Sequence, residues 1–470
     1  MIEPAVLPET LSRDLMALAP GGKVLADDLS LLKYSHDDAE WAPFEAPLAV
    51  VLASTTTEVA AVVNYARERG IRIVPRGSGT GLSGGANAVH QCIVLSLELM
   101  TDVVEINVDE RYAIAQAGVI NDALREAAAA VGLWYPPDPA SSAISTIGGN
   151  AATNAGGICC VKYGVTRDYV LGMTVVLADG EIVHLGRRTA KGVTGYDLTG
   201  LMVGSEGTLG IITEVIVKLL PLAGRVEQGI VGYFPSLTAA GAAVAAISSE
   251  GIIPAALELI DRTCLQAVDE WLKLGLPRDA QVLLLAKVDE PGATGCELAD
   301  RVAAIFTASG GLNVEQAADA AEVGRLFLAR RMAYPALERL GPVLTEDVCV
   351  PRSAVPAMLS RIQASAAKHD VVIANIAHAG DGNLHPLIIA PEGDLSAKAR
   401  AKAAFDEIVE DCRALGGTVT GEHGVGLLKL PGAAAELELR VIGMHQAVKD
   451  ALDPQGLLNP GKGFPHVKMS

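Results

Sequence analysis

The first 220 residues alternate between short apolar runs and longer amphipathic stretches. Residues 49–54 and 210–220 are largely apolar and end at polar residues or Pro, a pattern typical of buried strands. Amphipathic helices are predicted over 55–70, which follows a Thr-rich start and ends at glycine, and over 121–132, which begins at an Asn cap. Strands and helices that alternate in this way indicate an α+β fold.

The pattern changes near residue 222. Glycine-rich loops become rarer, and alanine-rich helical stretches alternate with apolar strands. A chain of 470 residues is too long for one ordinary hydrophobic core. We therefore predict two domains, 1–222 and 223–470, with about the last 12 residues, which include Asn-Pro-Gly-Lys-Gly at 459–463, returning to the first domain.

Charge and cysteine usage exclude several classes of function. The formal net charge is −18 and no basic stripe is present, so nucleic acid is not an expected partner. No apolar run reaches the roughly 18 residues of a transmembrane helix, and the N-terminus lacks the pattern of a signal peptide. Seven scattered cysteines without a CxxC pair indicate a reducing, cytoplasmic setting. Peripheral association with the inner face of the membrane stays open.

Three loops of small residues point to a long bound cofactor. Residues 75–86 read PRGSGTGLSGGA and contain the letters GxGxxG, but no helical run follows, which disfavours an NAD-binding Rossmann unit. Successive glycines instead allow several backbone N–H groups to point at one anion, as a phosphate requires. Residues 136–157 are also rich in Gly, Ser, Thr and Asn, and residues 200–214 again contain many small residues before a buried strand. A cofactor threaded between the three loops explains all of them.

In this order, the loops resemble the FAD-binding domain of the vanillyl-alcohol oxidase family. The resemblance implies a two-domain PCMH-type FAD-binding fold with a C-terminal α+β substrate domain, and FAD as the cofactor. Relatives with covalent FAD have His where this chain has Thr80, so noncovalent FAD is implied. The FAD-binding residues that follow are Pro75, Arg76, Gly77, Ser78, Gly79, Thr80, Gly81, Ser83, Pro137, Asp138, Ser141, Gly148, Gly149, Asn150, Asn154, Gly157, Glu206, Gly207, Ile211, Ile212 and Asn459.

The second domain contains a candidate metal site in NIAHAGDGNLHP (375–386) and TGEHGVG (420–426). If Asp381-Gly382 is the centre of a tight hairpin, His378 lies directly opposite His385, on one face of the two strands. With Glu422 they form a two-histidine, one-carboxylate set for a divalent cation, which would be zinc, manganese or iron. The alternative is that each histidine only satisfies a structural hydrogen bond.

His423 is the spare imidazole beside this set, and its ordinary pKa near 6.5 makes it the best available general base. HAGDGNLHP and GEHGVG resemble the signature of the group that contains the glycolate oxidase D subunit, D-lactate dehydrogenase and D-2-hydroxyglutarate dehydrogenase. The resemblance implies the same metal ligands and the same base. It also implies that Arg330, or its neighbour Arg331, binds the substrate carboxylate. Hydroxyglutarate enzymes have a lysine where this chain has Thr345, which favours a monocarboxylate.

The predicted function is FAD-dependent, metal-assisted oxidation of a small D-2-hydroxy acid, such as D-lactate or glycolate, to the 2-oxo acid. Alternatives are a D-2-hydroxyglutarate dehydrogenase, the flavin subunit of a multi-subunit glycolate oxidase, an NAD-dependent dehydrogenase and a redox-neutral flavin enzyme of lipid synthesis. The electron acceptor stays open among oxygen, quinone, an electron-transfer flavoprotein and an iron–sulfur subunit. The oligomeric state, with a homodimer as one alternative, also stays open.

Overall fold

The computed structural model describes residues 8–39, 41–189, 191–222, 224, 227–317, 319–391 and 393–466. The chain forms two compact units. The first comprises Met1–Gly156, Val165–Leu222 and Glu422–Ser470, and the second comprises Gly157–Gly164 and Ala223–Gly421. The C-terminal segment that belongs to the first unit is therefore longer than the 12 or so residues expected from the sequence.

Helices and strands alternate along the chain. The helices are α1 Pro8–Leu18, α2 Asp28–Tyr34, α3 Thr56–Arg69, α4 Asn121–Ala129, α5 Ile147–Thr153, α6 Cys160–Tyr163, α7 Leu198–Met202, α8 Leu237–Ser249, α9 Arg262–Leu272, α10 Gly292–Ala308, α11 Ala320–Leu326, α12 Leu328–Glu338, α13 Val355–His369, α14 Leu395–Ala414, α15 Leu430–Glu436 and α16 Leu439–Leu452. The strands are β1 Lys23–Leu25, β2 Ala49–Leu52, β3 Arg72–Arg76, β4 Cys92–Ser96, β5 Val103–Asn107, β6 Tyr112–Gln116, β7 Leu133–Trp134, β8 Val170–Val176, β9 Ile182–Gly186, β10 Ile211–Lys218, β11 Leu220–Pro221, β12 Gln228–Phe234, β13 Ala256–Asp261, β14 Val282–Val288, β15 Asn313–Ala317, β16 Val343–Thr345, β17 Val348–Cys349, β18 Val372–His378 and β19 Asn383–Ile389.

The first unit contains a four-stranded sheet in the order β1-β2-β4-β3 and a five-stranded sheet in the order β5-β6-β10-β8-β9. Strands β2, β3 and β4 are parallel, and the five-stranded sheet is antiparallel. Thr55 caps the start of helix α3, where its side chain accepts the Glu58 N–H, and Gly70 caps the end in the left-handed conformation. Its apolar face and β2–β4 bury one continuous core, to which Leu457 and Leu458 also belong.

Helix α4 differs from its sequence-based description. It begins at Asn121, but the cap position is Ile120 and no side chain caps the helix, so the expected Asn cap is wrong. Asn121 is fully buried. Its amide donates to the Pro137 carbonyl at 3.0 Å and its oxygen accepts from the Asn150 amide at 3.1 Å. A buried amide must be bonded, and here those bonds join three segments of the chain.

The second unit is built on an eight-stranded sheet in the order β15-β12-β14-β13-β18-β19-β16, with β17 also pairing β19. Its strands are apolar along most of their length because helices cover them. Residues of α9, α11 and α12 pack with β12–β16, β18 and β19 into one core that contains Phe327 and Ala333. The candidate histidines lie on the adjacent strands β18 and β19 of this sheet.

The β18–β19 hairpin has a longer turn than predicted. Residues 379–382 form the turn, so His378 lies opposite Asn383, and His385 lies opposite Ile376. The expected direct pairing of His378 with His385 is therefore wrong by two residues. A shift of two keeps each side chain on the same face of the sheet, whereas a shift of one would have separated them. The two histidines are diagonal neighbours on one face.

Candidate functional site

A long pocket in the first unit collects the three glycine-rich loops. It encloses about 1310 Å³ of space, its open mouth included. Its glycine-rich lining suits the phosphates of an extended dinucleotide. The expected FAD-binding residues that line it are Pro75, Arg76, Gly77, Ser78, Gly79, Thr80, Gly81, Ser83, Ser141, Gly148, Gly149, Asn150, Glu206, Gly207, Ile211 and Ile212.

Glycine is required where these loops pack against one another. Gly79 has φ +82°, and a Cβ there would overlap the Arg76 guanidinium. A Cβ at Gly77 would overlap the Thr146 hydroxyl, and one at Gly207 would overlap the Pro75 ring. At each of these positions, the glycine backbone therefore packs directly against the side chain of another residue. Much of the pocket wall is backbone and small side chains, which fits the cradle that a pyrophosphate needs.

The remaining expected FAD-binding residues lie elsewhere. Pro137 accepts the Asn121 amide through its carbonyl, and Asn154 ends α5 in a left-handed conformation while its side chain accepts the Arg167 N–H. Gly157 belongs to the second unit. Asn459 is buried, and its amide donates to the carbonyls of Gly85 and Glu206 at 2.9 and 2.7 Å. Asp138 also lies outside the residues that line the pocket.

The pocket also has residues that the sequence did not single out. Asp37 and Thr146 line it, and Thr146 caps α5 by accepting the Gly149 N–H. The Thr-x-x-Gly spacing at the start of a helix was a usable signal for Thr146, whereas Asp37 carries none. Arg76 is buried rather than solvated, and it donates to the His36 carbonyl at 2.7 Å. Burial lowers the pKa of Arg76, against the opposing effect of Asp37 and Glu98.

A buried lysine from the C-terminal segment contacts the end of the loop at 75–86, which we call the pyrophosphate loop. The Lys462 ammonium donates to the carbonyls of Gly85 and Asn87 and to the Asn459 side chain. Burial lowers the pKa of Lys462 to about 8, although Asp37 and Glu206 favour its charged form. These contacts explain why the NPGKG segment belongs to the first unit: it ties the loop at 85–87 to the end of the chain.

Glu422 and His423 line the same pocket of the first unit. The two side chains lie close together, with 3.7 Å between His423 Nε2 and Glu422 Oε1. A Cβ at Gly156 would overlap the Glu422 carboxylate, so the glycine-rich loop at 136–157 packs directly against this side chain. We call the loops at 75–86, 136–157 and 200–214 the flavin loops. The Ser83 hydroxyl donates to the His423 carbonyl at 3.0 Å. The expected base and one expected metal ligand are thus next to the flavin loops.

The other two expected metal ligands meet in the second unit. The rings of His378 and His385 are 5.2 Å apart and nearly perpendicular, and each offers a ring nitrogen within 4.8 Å of the other. Both side chains are buried. His378 Nδ1 lies 2.6 Å from the Glu258 carboxylate, and His385 Nδ1 lies 3.8 Å from that of Asp347. A carboxylate hydrogen-bonded to the ring, as Glu258 is to His378, is the usual support of a metal-binding histidine, whereas the separation at His385 is longer than a hydrogen bond.

Arg330 lies on α12 and reaches the same cluster. Its Nε donates to Glu258 at 2.8 Å, so one fully buried carboxylate joins Arg330 to His378. Burial acts to raise the pKa of Glu258, but the charges of His378 and Arg330 outweigh it, and the pKa is lowered overall. Arg331 instead points along the exposed side of the helix and donates to the Gly324 carbonyl at 2.5 Å. Thr345 is buried, with its hydroxyl 3.3 Å from that of Tyr334.

Sequence reasoning missed Glu258 and Asp347. Both are acidic residues next to apolar strand residues, and a charge in a buried strand is a signal of a partner. Asp347 accepts the Asn383 amide at 2.7 Å, the Thr420 hydroxyl at 2.8 Å and the Gly421 N–H at 3.0 Å. It therefore fixes the segment of the second unit that ends immediately before Glu422.

The fold and the glycine-lined pocket define a two-unit flavoprotein of the PCMH type. Residues 47–186 match the family described as FAD binding domain, and residues 225–463 match the one described as FAD linked oxidases, C-terminal domain. The chain belongs to the FAD-linked oxidase family and is an FAD-dependent oxidoreductase. In the described part of the chain, no helix combines the length and the apolar character needed to cross a membrane.

Curated relatives and solved structures agree with this assignment. The chain is 43% identical to the glycolate oxidase subunit GlcD of Bacillus subtilis (strain 168) over 419 residues, which cover 89% of each chain. It is 34% identical to D-lactate dehydrogenase of Anaerostipes hadrus, with 97% of each chain covered. The fold is also that of 4-ethylphenol oxidase from Gulosibacter chungangensis, with a TM-score of 0.81, 18% identity and 99% of each chain covered.

Proposed function

We propose that this flavoprotein oxidises a small D-2-hydroxy acid, D-lactate or glycolate in type, to the 2-oxo acid. The observation that carries the proposal is the placement of Glu422 and His423 in the wall of the pocket that the FAD loops form. A base beside the flavin is what removal of a hydroxyl proton and a Cα hydride requires. Relatives named for glycolate and for D-lactate oxidation support the same substrate class.

The donor set in the second unit supports a divalent metal. The rings of the two buried imidazoles are 5.2 Å apart, with a carboxylate 2.6 Å from one and 3.8 Å from the other, and this is a donor set that a divalent cation can use. We propose His378 and His385 as ligands, together with Glu422 from the sequence motif. Nitrogen and carboxylate ligands suit zinc, manganese or iron. Such a cation would anchor the substrate and lower the pKa of its hydroxyl group.

The residues of the chain divide the chemistry between them. FAD supplies the hydride acceptor, and the glycine-rich loops hold it without a covalent link because Thr80 offers no attachment point. His423 takes the proton from the substrate hydroxyl. Arg330 supplies positive charge for the substrate carboxylate, and Glu258 fixes the direction of its guanidinium.

The size of the substrate follows from what surrounds Arg330. Tyr334 lies one turn further along α12, and its hydroxyl is 3.3 Å from that of Thr345, so neither of these two side chains offers a positive charge. A second substrate carboxylate would need a cation there, and Thr345 offers only a hydroxyl. We therefore propose a monocarboxylate.

An anaerobic screen of flavin reduction tests the proposal. D-lactate, L-lactate, glycolate and D-2-hydroxyglutarate are mixed separately with the FAD-loaded protein, and bleaching of the flavin absorbance is followed by stopped flow. We expect D-lactate or glycolate to reduce the flavin, and D-lactate to react faster than L-lactate. A clear preference for D-2-hydroxyglutarate in kcat/KM would contradict the monocarboxylate proposal. No reduction by any of the four would contradict the proposed reaction.

A further inference from the structure

The turn that carries His423 is held from two sides by residues of the flavin loops, all within the first unit. Ser83 of the pyrophosphate loop donates its hydroxyl to the His423 carbonyl, and its own carbonyl accepts the N–H groups of Leu427 and Leu428 at 2.8 and 3.1 Å. Four backbone groups are thus paired across segments about 340 residues apart in sequence. Ser83 therefore holds one side of the turn at 423–428.

Glu206 fixes the other side. Its Oε1 accepts the Val425 N–H and its Oε2 accepts the Gly426 N–H, both at 2.8 Å. Each carboxylate oxygen therefore has one backbone donor, and the two donors are two and three residues after His423. Glu206 itself is left-handed, with φ +51°, and is followed by left-handed Gly207. A left-handed residue other than glycine is uncommon because its backbone is strained, and the two charge-assisted bonds offset that strain.

The glycines of GEHGVG are explained by the same contacts. Gly426 has φ +49°, and a Cβ there would overlap the Ser83 carbonyl. Gly424 has φ +83°, and a Cβ there would lie 3.1 Å from Glu206 Oε1. The turn is therefore in van der Waals contact with both residues. A small displacement of either one would move the backbone that carries the imidazole.

A carboxylate in this pocket is otherwise hard to justify. FAD carries an anionic pyrophosphate, and an acidic side chain in the same pocket repels it. Burial also raises the pKa of Glu206, so its charged form is costly there. The sequence alone groups Glu206 with the cofactor ligands. Its carboxylate instead accepts hydrogen bonds from the backbone at 425–426, which indicates a role other than binding the cofactor.

We propose that Glu206 is a positioning residue, which fixes the turn carrying His423 relative to the loops that hold FAD. The inference rests on the proposed function, because it assumes that His423 is the base. The physical reason is geometric: a proton acceptor displaced by about 1 Å from its productive position loses on the order of 100-fold in rate. Glu206 links base and flavin loops so that they move together.

Glu206→Gln tests the proposal with little change in shape. Glutamine keeps one acceptor oxygen but presents its NH₂ group to the second backbone N–H, so one of the two bonds becomes a donor–donor contact. The matched control is Glu58→Gln. Glu58 is also in the first unit and outside the pocket, and its two oxygens accept the backbone N–H groups of Gly21 and Ser54 at 2.6 and 2.8 Å. Each variant loses a carboxylate that accepts two backbone N–H groups, but only Glu206 is bonded to the turn that carries His423.

Three readouts distinguish a displaced His423 from a protein that has lost its fold or its FAD. We expect Glu206→Gln to keep its FAD and to be reduced by dithionite as fast as the unaltered protein, since dithionite needs no base. Its reduction by the hydroxy acid should slow by about 10- to 100-fold, with KM changed less than about threefold. Glu58→Gln should match the unaltered protein in all three. Equal substrate-driven rates in both variants, or loss of FAD from Glu206→Gln alone, would overturn the positioning role.

Hydrogen exchange of the turn gives an answer that does not depend on the substrate. Peptides covering 422–430 should exchange faster in Glu206→Gln than in the unaltered protein, whereas the same peptides in Glu58→Gln should not change. If no hydroxy acid reduces the unaltered protein, the proposed function fails while this measurement still decides whether Glu206 holds the turn. Unchanged exchange at 422–430 would overturn the inference even if the proposed function stands.

Discussion

Replacing Glu258 by Gln should lower both the stability of the second unit and the affinity for the metal that we propose there. The Glu258 carboxylate is fully buried and joins two groups, the Arg330 guanidinium at 2.8 Å and the His378 ring at 2.6 Å. Glutamine has nearly the same shape but no charge. Its single oxygen can accept from only one of the two groups, and its NH₂ group then faces the other.

The magnitude follows from burial. The Arg330 side chain is 11% exposed and that of His378 is 6% exposed, so neither recovers its lost partner by turning to water. Removing one partner of a buried ion pair typically costs 3–5 kcal/mol. Glutamine keeps one hydrogen bond, so we expect about 3 kcal/mol. Losing the carboxylate behind a metal-binding histidine should also weaken metal affinity by about 10- to 100-fold.

Urea unfolding and metal titration of the purified protein measure the two effects. Glu407→Gln is the matched control, because Glu407 also pairs with an imidazole, that of His369 at 2.5 Å, within the same unit. The Glu407 side chain is 30% exposed, so its loss should cost no more than about 1 kcal/mol and leave the metal in place.

The effect of Glu258 should depend on pH with a defined sign. Its pKa is lowered from 4.5 in the folded protein, so the folded state binds fewer protons than the unfolded chain in acid. The stabilisation is therefore fully present above about pH 4.5 and is lost as the pH falls through the folded value. The reasoning is refuted if Glu258→Gln is as stable as Glu407→Gln at pH 7, or if its metal affinity is unchanged.

Three further predictions concern the cofactor, the ligands and the C-terminal lysine. Acid precipitation should release all of the flavin, because Thr80 provides no attachment point; colour in the pellet would contradict this. His378→Ala should lose metal on elemental analysis, whereas His423→Asn should keep metal and FAD but reduce flavin about 10²–10⁴-fold more slowly, and the reverse pattern would exchange the two roles. Because burial lowers the pKa of Lys462 from 10.5 to about 8, the folded protein binds fewer protons than the unfolded chain between these values. The stability of the unaltered protein relative to Lys462→Met should therefore rise by up to about 3 kcal/mol from pH 8 to 10.5, and a flat difference in urea unfolding would contradict the burial argument.

Local patterns predicted the elements well where local forces decide them. Helix α3 begins at its Thr cap and ends at Gly70 as expected, and no helix follows the glycine loop before β4. The same reasoning failed at Asn121. Asn favours a helix cap only while its side chain has no better partner, and two partners from distant segments took it.

The hairpin register shows where tertiary contacts override a local signal. Asp381-Gly382 is typical of a two-residue turn, but the turn spans four residues because distant strands hold it. The Gly380 N–H donates to the Leu257 carbonyl, and the Gly382 carbonyl accepts the Val350 N–H. A Cβ at Gly382 would overlap the Val350 carbonyl. These neighbours set the register, and only the two-residue period of the strand kept both histidines on one face.

The sequence by itself determined the α+β character, the flavin loops and the chemical types of the site residues, because caps, periodicity and glycine clusters act over a few neighbouring residues. Only the tertiary structure decided which groups support them. Glu258 is 120 residues from His378 in the chain, and Glu206 is 219 residues from Val425. Such pairings depend on the closing of long loops and on the burial of charge, and neither leaves a pattern between adjacent residues.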